Sequence, residues 1–256
     1  MQLLIDADIC LYRACAAVER EIEFEEDMWV LYTQENDAIE AFYDSVATLN
    51  GLANTHNYLL AFSDAKNFRK ELYPEYKGNR TQRKPMGFKA IRERVFEEFS
   101  TQIVTMPTLE ADDVIGILAT KNKGNVLIWS DDKDLRQIPG VHVTPFGQVV
   151  IYPDDADRWF YTQALTGDTT DNYKGCPGIG PKRAEQIIAS VNHADNFEPG
   201  SLQPTSYWQA VVNTYVKAGL TEEDALLQAR LARILRCEDW DEDKQEVKLW
   251  VANTTA

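Results

Sequence analysis

The sequence predicts an α/β protein: a mixed, largely parallel sheet between helices over residues 1–165, with an all-helical region over 166–256 packed on it. Three observations carry this expectation. Short apolar segments alternate with segments of helical period in the first part, as in sheets covered on both faces. Acidic residues recur where those short apolar segments end. Beyond residue 166 the strand signals stop and helical periodicity takes over.

The elements follow in order. Leu3 to Ile5 reads as a buried strand ending at Asp6, with a helix after it through Cys15 to Glu19. Ile39, Phe42, Val46 and Leu49 recur at helical spacing and predict a helix over 37–52, with Gly51 near its end. Residues 57–62 form a second strand that ends at Ser63 and Asp64. Pro74, Gly78, Pro85 and Gly87 keep the next stretch a loop, which becomes a helix from Lys89 to Phe99. Residues 102–105 are a third strand, and Glu110 opens a helix through Lys121. A fourth strand, 125–129, ends at Ser130, Asp131 and Asp132. Segments 141–143 and 149–151 read as a two-stranded ending with a turn at Phe146 and Gly147, and Asp155 to Leu165 is helical. Residues 192–206, with Pro199, Gly200 and Pro204, read as a flexible connection. Thr221 caps a late helix, with Asp224 where a capping box usually has Glu or Gln. Its apolar face is Leu226, Leu227, Leu231, Ile234 and Leu235, and Arg230, Arg233 and Arg236 sit toward its C-terminal end.

A chain of 256 residues is long enough for one large domain or a core with a small second one. No apolar run approaches the roughly 20 residues of a membrane span, and the first residues lack a signal-peptide pattern. Cys10, Cys15, Cys176 and Cys237 show no CxxC pairing, which suits reduced thiols. A cytoplasmic protein without membrane contact is expected. With 41 acids against 26 bases the formal charge is −15, which first argues against a nucleic-acid partner. The charges are unevenly placed, however. Residues 66–94 hold ten bases (Lys66, Arg69, Lys70, Lys77, Arg80, Arg83, Lys84, Lys89, Arg92, Arg94) and three acids, a net +7 beside −22 elsewhere. Phe68, Tyr73, Tyr76 and Phe88 interleave with them, as in a nucleic-acid groove; a solvated helix face is the plainer reading of basic residues alone.

Strand ends on one edge of a parallel sheet converge, and ligand sites collect there. Asp6, Asp64, the trio Glu110, Asp112 and Asp113, and the trio Asp131, Asp132 and Asp134 all stand at such ends. Asp168 and Asp171 lie three apart. One such acid is most simply a cap or turn residue. A converging set is different, because two carboxylates about 5 Å apart repel by on the order of 3 kcal/mol at an effective dielectric near 20. All-oxygen donors suit Mg²⁺ or Mn²⁺, and His56, His142 and His193 are isolated. Two such ions make the clamp used for in-line phosphodiester hydrolysis. There is no GxxxxGK[ST] loop, which disfavours nucleotide hydrolysis, and no support for a Ser/His/Asp triad. Gly175 to Ala184, with Gly178, Gly180 and Pro181 before Lys182 and Arg183, forms a second phosphate signal at a helix start, although an ordinary helix-to-helix turn has the same glycines.

Taken in order, these motifs resemble the 5′-nucleases, the flap endonucleases and 5′→3′ exonucleases, over residues 4–190. The C-terminal run from Ala218 to Asp224 and from Ala232 to Leu235 is similar to the 5′→3′ exonucleases of short-tailed lytic bacteriophages. The resemblance implies a PIN/5′-nuclease-like core over 1–165 with an arch over 66–100, and a helix-hairpin-helix-type DNA-binding motif in the helical part. It implies Asp6, Asp64, Glu110 and Asp112 around one Mg²⁺, and Asp132, Asp134, Asp168 and Asp171 around another, with Asp113 adjacent and Mn²⁺ able to substitute. Lys77 and Arg80 match the bases that contact the scissile phosphate. Tyr76 is placed to stack on a base, with Arg69 and Lys84 in the same DNA-contacting segment. Gly178, Gly180, Lys182 and Arg183 match the hairpin that holds the duplex backbone, in relatives often with a bound K⁺. Two positions depart from the pattern: Asp8 is either an extra ligand or a helix cap, and Asp131 stands where the family has Gly.

The activity implied is Mg²⁺-dependent 5′→3′ degradation of duplex DNA, extending to flaps and to RNA in RNA–DNA hybrids, during phage DNA replication and recombination. A monomer in the host cytoplasm is expected, with replication or single-strand-binding proteins as candidate partners. Three rivals stay open: an RNA-cutting PIN-type nuclease, a silent DNA-binding scaffold, and a metal-dependent phosphomonoesterase.

Overall fold

The computed structural model describes residues 1–191 and 206–252, so the connection expected over 192–206 lies outside the described residues except for Ser206. The chain divides into two compact units, each discontinuous in sequence. The first comprises 1–66, 81–133 and 140–150; the second comprises 67–80, 134–139 and the chain from 151 onward. The change of unit thus falls at 150/151 rather than 165/166, and the basic segment is divided between the two.

In the first unit, β1 (Gln2–Asp6) leads directly into α1 (Ala7–Val18), whose N-cap is Asp6. A ribbon of β2 (Arg20–Glu25) and β3 (Met28–Tyr32) follows, then α2 (Glu35–Ala53) and β4 (Tyr58–Ala61). The one-turn α3 (Arg69–Leu72) belongs to the second unit. Next come α4 (Phe88–Glu98), the two-residue β5 (Ile103–Val104), α5 (Ala111–Lys121) and β6 (Val126–Trp129). The sheet closes with β7 (Gly140–Thr144) and β8 (Gly147–Ile151).

Six strands align in the order β5-β4-β1-β6-β7-β8, and the pairs β5/β4, β4/β1, β1/β6 and β6/β7 are parallel. β1 is central, with Leu3 opposite Tyr58 on one side and Leu127 on the other. Its apolar run is continuous because both faces are covered, as expected of a parallel strand. Leu3, Ile5, Phe42, Leu60, Phe62, Ile91 and Leu127 form one buried cluster with α1, α2 and α4. Parallel pairing has a direct consequence: the chain leaves β1, β4 and β6 at the same edge, carrying Asp6, Ser63-Asp64 and Ser130-Asp131-Asp132 out together.

The second unit is mainly helical: α6 (Pro153–Thr166), α7 (Pro181–Ala189), α8 (Tyr207–Lys217) and α9 (Glu222–Ala232). Phe160, Ala164, Ile188, Val211 and Tyr215 are buried among them. A short antiparallel pair, β9 (Trp240–Asp241) and β10 (Glu246–Val247), interrupts the all-helical expectation. Thr221 caps α9, and the Asp224 carboxylate accepts the Thr221 N–H at 2.8 Å. That helix stops at Ala232, earlier than its apolar pattern suggests. Ile234 and Leu235 are buried in extended chain instead. Arg233 leaves the helix to pair with Asp239 at 2.8 Å, both side chains being buried, and Arg236 reaches Asp157 at 2.7 Å. These two arginines anchor the C-terminal chain rather than the end of a helix.

Candidate active site

The carboxylate edge of the first unit is knitted by hydroxyls and backbone N–H groups. Ser130 Oγ donates to Asp6 Oδ2 at 2.9 Å and accepts the Asp132 N–H at 3.0 Å. Asp8 Oδ2 accepts the Ser63 N–H at 2.8 Å, so this acid ties the start of α1 to the end of β4. Ser63 Oγ in turn accepts the Ala111 N–H at the start of α5 at 3.0 Å. The sequence marks the two serines only as strand ends, not as the groups that tie this edge together. Their signal was the repeated Ser-Asp step immediately after a strand, at Ser63-Asp64 and at Ser130-Asp131.

Electrostatically this edge is crowded. Burial pushes the Asp6 carboxyl up to about 7, and the neighbouring Asp8 and Asp132 push the same way against the Ser130 hydrogen bond. Asp64 is shifted down, chiefly by the Thr108 N–H that donates to its Oδ2 at 2.8 Å. It therefore stays ionised and also pins the loop before α5. Asp131 pairs with Arg13.

The first turn of α5 holds Glu110, Asp112 and Asp113, with one ligand oxygen of each within 4.8 Å of the others. Asp113 is fully buried, and its Oδ2 accepts the Glu110 N–H at 3.3 Å. Glu110 and Asp113 form a reciprocal capping box and Asp112 Oδ1 accepts the Asp113 N–H at 2.8 Å, yet three carboxylates at this spacing still repel, which a cation among them would relieve. The donors are all oxygen, with no thiolate or imidazole, which fits a hard divalent ion.

The second unit carries its own acids on the loop after α6. Gly167 and Gly175 close the neck of this loop back to back. Both have positive φ, +66° and +63°, and a Cβ added at either would stand 2.4 or 2.3 Å from backbone atoms of the opposite strand. Asp168 and Tyr173 bridge just inside the neck through paired backbone hydrogen bonds of 2.9 and 3.1 Å. Asp168 Oδ1 turns inward to accept the Thr170 and Asp171 N–H groups. Tyr173 is buried, and burial raises its hydroxyl well above the usual range, helped by Asp134, Asp168 and Asp171. These three expected ligands therefore share one buried neighbour. Asp132, expected with them, belongs to the first unit.

Segment 67–80 is bound to that loop. The Lys77 N–H donates to Asp171 O at 2.9 Å, Asn79 Nδ2 to Thr169 O at 2.7 Å, and Asn172 Nδ2 to Glu75 O at 2.8 Å. Asp171 then holds both expected phosphate-binding bases. Arg80 Nη2 lies 2.7 Å from its Oδ1, and Lys77 Nζ lies 3.6 Å from its Oδ2. Lys77 itself sits at φ +56°, a left-handed conformation uncommon for a side chain of this size.

Two expected DNA contacts are buried. Tyr76, 3% exposed, stacks on Tyr173 and donates its hydroxyl to Asp171 Oδ2 at 2.9 Å, so its ring is not presented to a base. Arg69, 2% exposed, donates Nε to Leu231 O at 3.1 Å and lies over the Phe68 ring. It anchors α3 to the C-terminal end of α9. Other bases of the segment have protein partners: Arg83 pairs with Glu19, Arg92 donates to Ser63 O, and Arg94 pairs with Glu98. Lys84 is exposed, with its ammonium over the Phe88 ring. Gly178, Gly180, Lys182 and Arg183 are exposed at the start of α7, where Gly180 is the N-cap and Pro181 the first helical residue.

Residues 1–162 match the family model described as the N-terminal resolvase-like domain of 5′-3′ exonucleases. The chain is 29% identical to an exodeoxyribonuclease of Enterobacteria phage T3, over 97% of this chain and 92% of that one. An exonuclease of Escherichia phage T7 matches with the same identity and coverage. Among solved structures, a bacteriophage T5 flap endonuclease in complex with DNA and metal ions aligns over 90% of this chain and 88% of its own, with TM-score 0.58 and 19% identity. That likeness is one of fold.

Proposed function

Because the chain belongs to the 5′-3′ exonuclease family and is a nuclease, we propose that it degrades duplex DNA from 5′ ends by divalent-cation-dependent phosphodiester hydrolysis. The observation that carries this reading is the triad of Glu110, Asp112 and Asp113 on the first turn of α5. With Asp6 and Asp64 at neighbouring strand ends, it offers an oxygen-only site suited to Mg²⁺, with Mn²⁺ as a substitute. Asp134, Asp168 and Asp171, expected around a second ion, lie in the second unit, where Asp171 holds Lys77 and Arg80. Divalent ions held by such carboxylates supply Lewis acidity, lowering the pKa of water and neutralising phosphate charge.

The chain's own residues account for the rest. Lys77 and Arg80, oriented by Asp171, place positive charge for the scissile phosphate, where negative charge grows in the transition state. The exposed turn of Gly178 and Gly180, with Lys182 and Arg183 at the start of α7, receives a duplex backbone phosphate in the manner of a helix-hairpin-helix motif, with K⁺ as a further ligand of that turn. Flap cutting and removal of RNA from hybrids use the same groups.

Duplex labelled at the 5′ or the 3′ end tests the polarity. Release from the 5′ end with Mg²⁺, abolished by EDTA and restored by Mn²⁺, is expected; 3′-end release, or digestion that persists in EDTA, would refute the proposal. Two single variants separate the roles of the bases. Lys77→Ala is expected to slow turnover by about 100-fold with little change in duplex affinity. Lys182→Ala is expected to weaken duplex binding and reduce the slope of log affinity against log salt by about 1, with turnover at saturation preserved. An exchange of these two phenotypes would overturn the assignment.

A further inference from the structure

The ribbon of β2 and β3 takes no part in this chemistry. Its strands pair with each other and with no third strand among the described residues, and a lone two-stranded ribbon is marginal in water. It is held at its base. Glu19 accepts Arg83 Nη1 and Nη2 at 2.8 and 2.6 Å and the Met86 N–H at 2.7 Å, and Arg20 Nη2 reaches Asp37 Oδ2 at 3.1 Å. Beyond the base the ribbon is exposed along its length.

Its two faces differ. The register sets Ile22 opposite Val30 and Arg20 opposite Tyr32, so strand alternation places Ile22, Met28, Val30 and Tyr32 on one face. All four are exposed. A bulge between Glu23 and Glu25 turns out Phe24, 68% exposed, and Trp29, 60% exposed, stands on the opposite face beside Glu23. Four exposed apolar side chains on one face of an otherwise acidic ribbon mark an interaction surface. Around them are Glu21, Glu23, Glu25, Glu26 and Asp27, while the ribbon's single base, Arg20, is paired with Asp37.

That charge selects the occupant. Nucleic acid and anionic membranes share its sign and are repelled. A second copy docked ribbon to ribbon would set carboxylates against carboxylates. Among the described residues neither outer edge pairs with a further strand, so each can accept one. We propose that the ribbon docks a partner protein through an extended segment of alternating apolar and basic side chains, taken up as a third strand.

The probe is a short synthetic strand peptide alternating Lys with Leu and Phe, fluorescently labelled and titrated with the full chain, beside its Glu counterpart. Saturable one-to-one binding of the Lys peptide is expected. Ile22→Ser with Val30→Ser should weaken it by at least about tenfold. Should that pair of changes unravel the ribbon, Glu21→Lys with Glu23→Lys decides the matter: it keeps the apolar face and should transfer preference to the Glu peptide. Equal binding by wild type and the charge-swapped variant would show mere attraction to a chain of net charge −15 and overturn the proposal. So would ribbon-dependent dimerisation in sedimentation, or ribbon-dependent binding of DNA or anionic vesicles, without peptide binding.

Discussion

Glu110→Gln combined with Asp112→Asn is expected to lower duplex digestion by about 1000-fold or more and to leave Tm unchanged or raised. The two effects have one cause. Three carboxylates whose oxygens lie within 4.8 Å of one another repel, by on the order of 3 kcal/mol per pair at an effective dielectric near 20. Replacing two of them with amides keeps the shape and the side-chain oxygens that accept the Asp113 N–H, relieves the repulsion, and removes the charge that binds a cation. Asp113 stays in place to accept the Glu110 N–H, which preserves the start of α5. Turnover, Mn²⁺ affinity by calorimetry and a thermal melt are the three measurements. Near wild-type turnover would remove this triad from the chemistry. A Tm lowered by several degrees would instead make these acids structural caps.

Gly167→Ala or Gly175→Ala is expected to destabilise the protein by about 3 kcal/mol and to cost most of the activity. Either Cβ would stand 2.3–2.4 Å from backbone atoms across the loop neck, and both positions have positive φ. Backbone cannot swing aside as a flexible side chain can. The neck would open and release the Asp168–Tyr173 bridge, moving Asp168 and Asp171 and, with Asp171, its hold on Lys77 and Arg80. Gly178→Ala is the matched control. Its φ is +74°, but nothing lies within 4 Å of the added Cβ, so only about 1 kcal/mol is expected. Melting curves of the three variants check this order; equal losses at all three positions would contradict the neck.

Much of the fold was legible because apolar periodicity is a local signal. Leu3 to Ile5, residues 57–62 and residues 125–129 announced the strands that lie side by side as β4, β1 and β6, and the helix starts at Glu110 and Thr221 lay where their acids indicated. The ribbon was not legible. Glu21, Glu23 and Glu25 alternate with Ile22 and Phe24, and the excess of charge masks that alternation as a strand signal. The late helix was over-extended for the opposite reason. Ile234 and Leu235 continue its apolar pattern, but Arg233 is drawn to Asp239 and the chain straightens there.

Residue chemistry and order along the chain were enough to identify an oxygen-only acid set, a basic segment and a glycine turn. Those features depend on which side chains are present and on parallel strands ending at one edge, both of which a sequence carries. Partnership is another matter. Arg69 and Tyr76 look like DNA contacts until the fold buries one against the carbonyls at the end of α9 and the other between Tyr173 and Asp171. Gly167 and Gly175 look like ordinary turn glycines until their backbones meet. Each of these outcomes is set by contact between segments remote in sequence, and only tertiary structure decides which neighbour a side chain meets first.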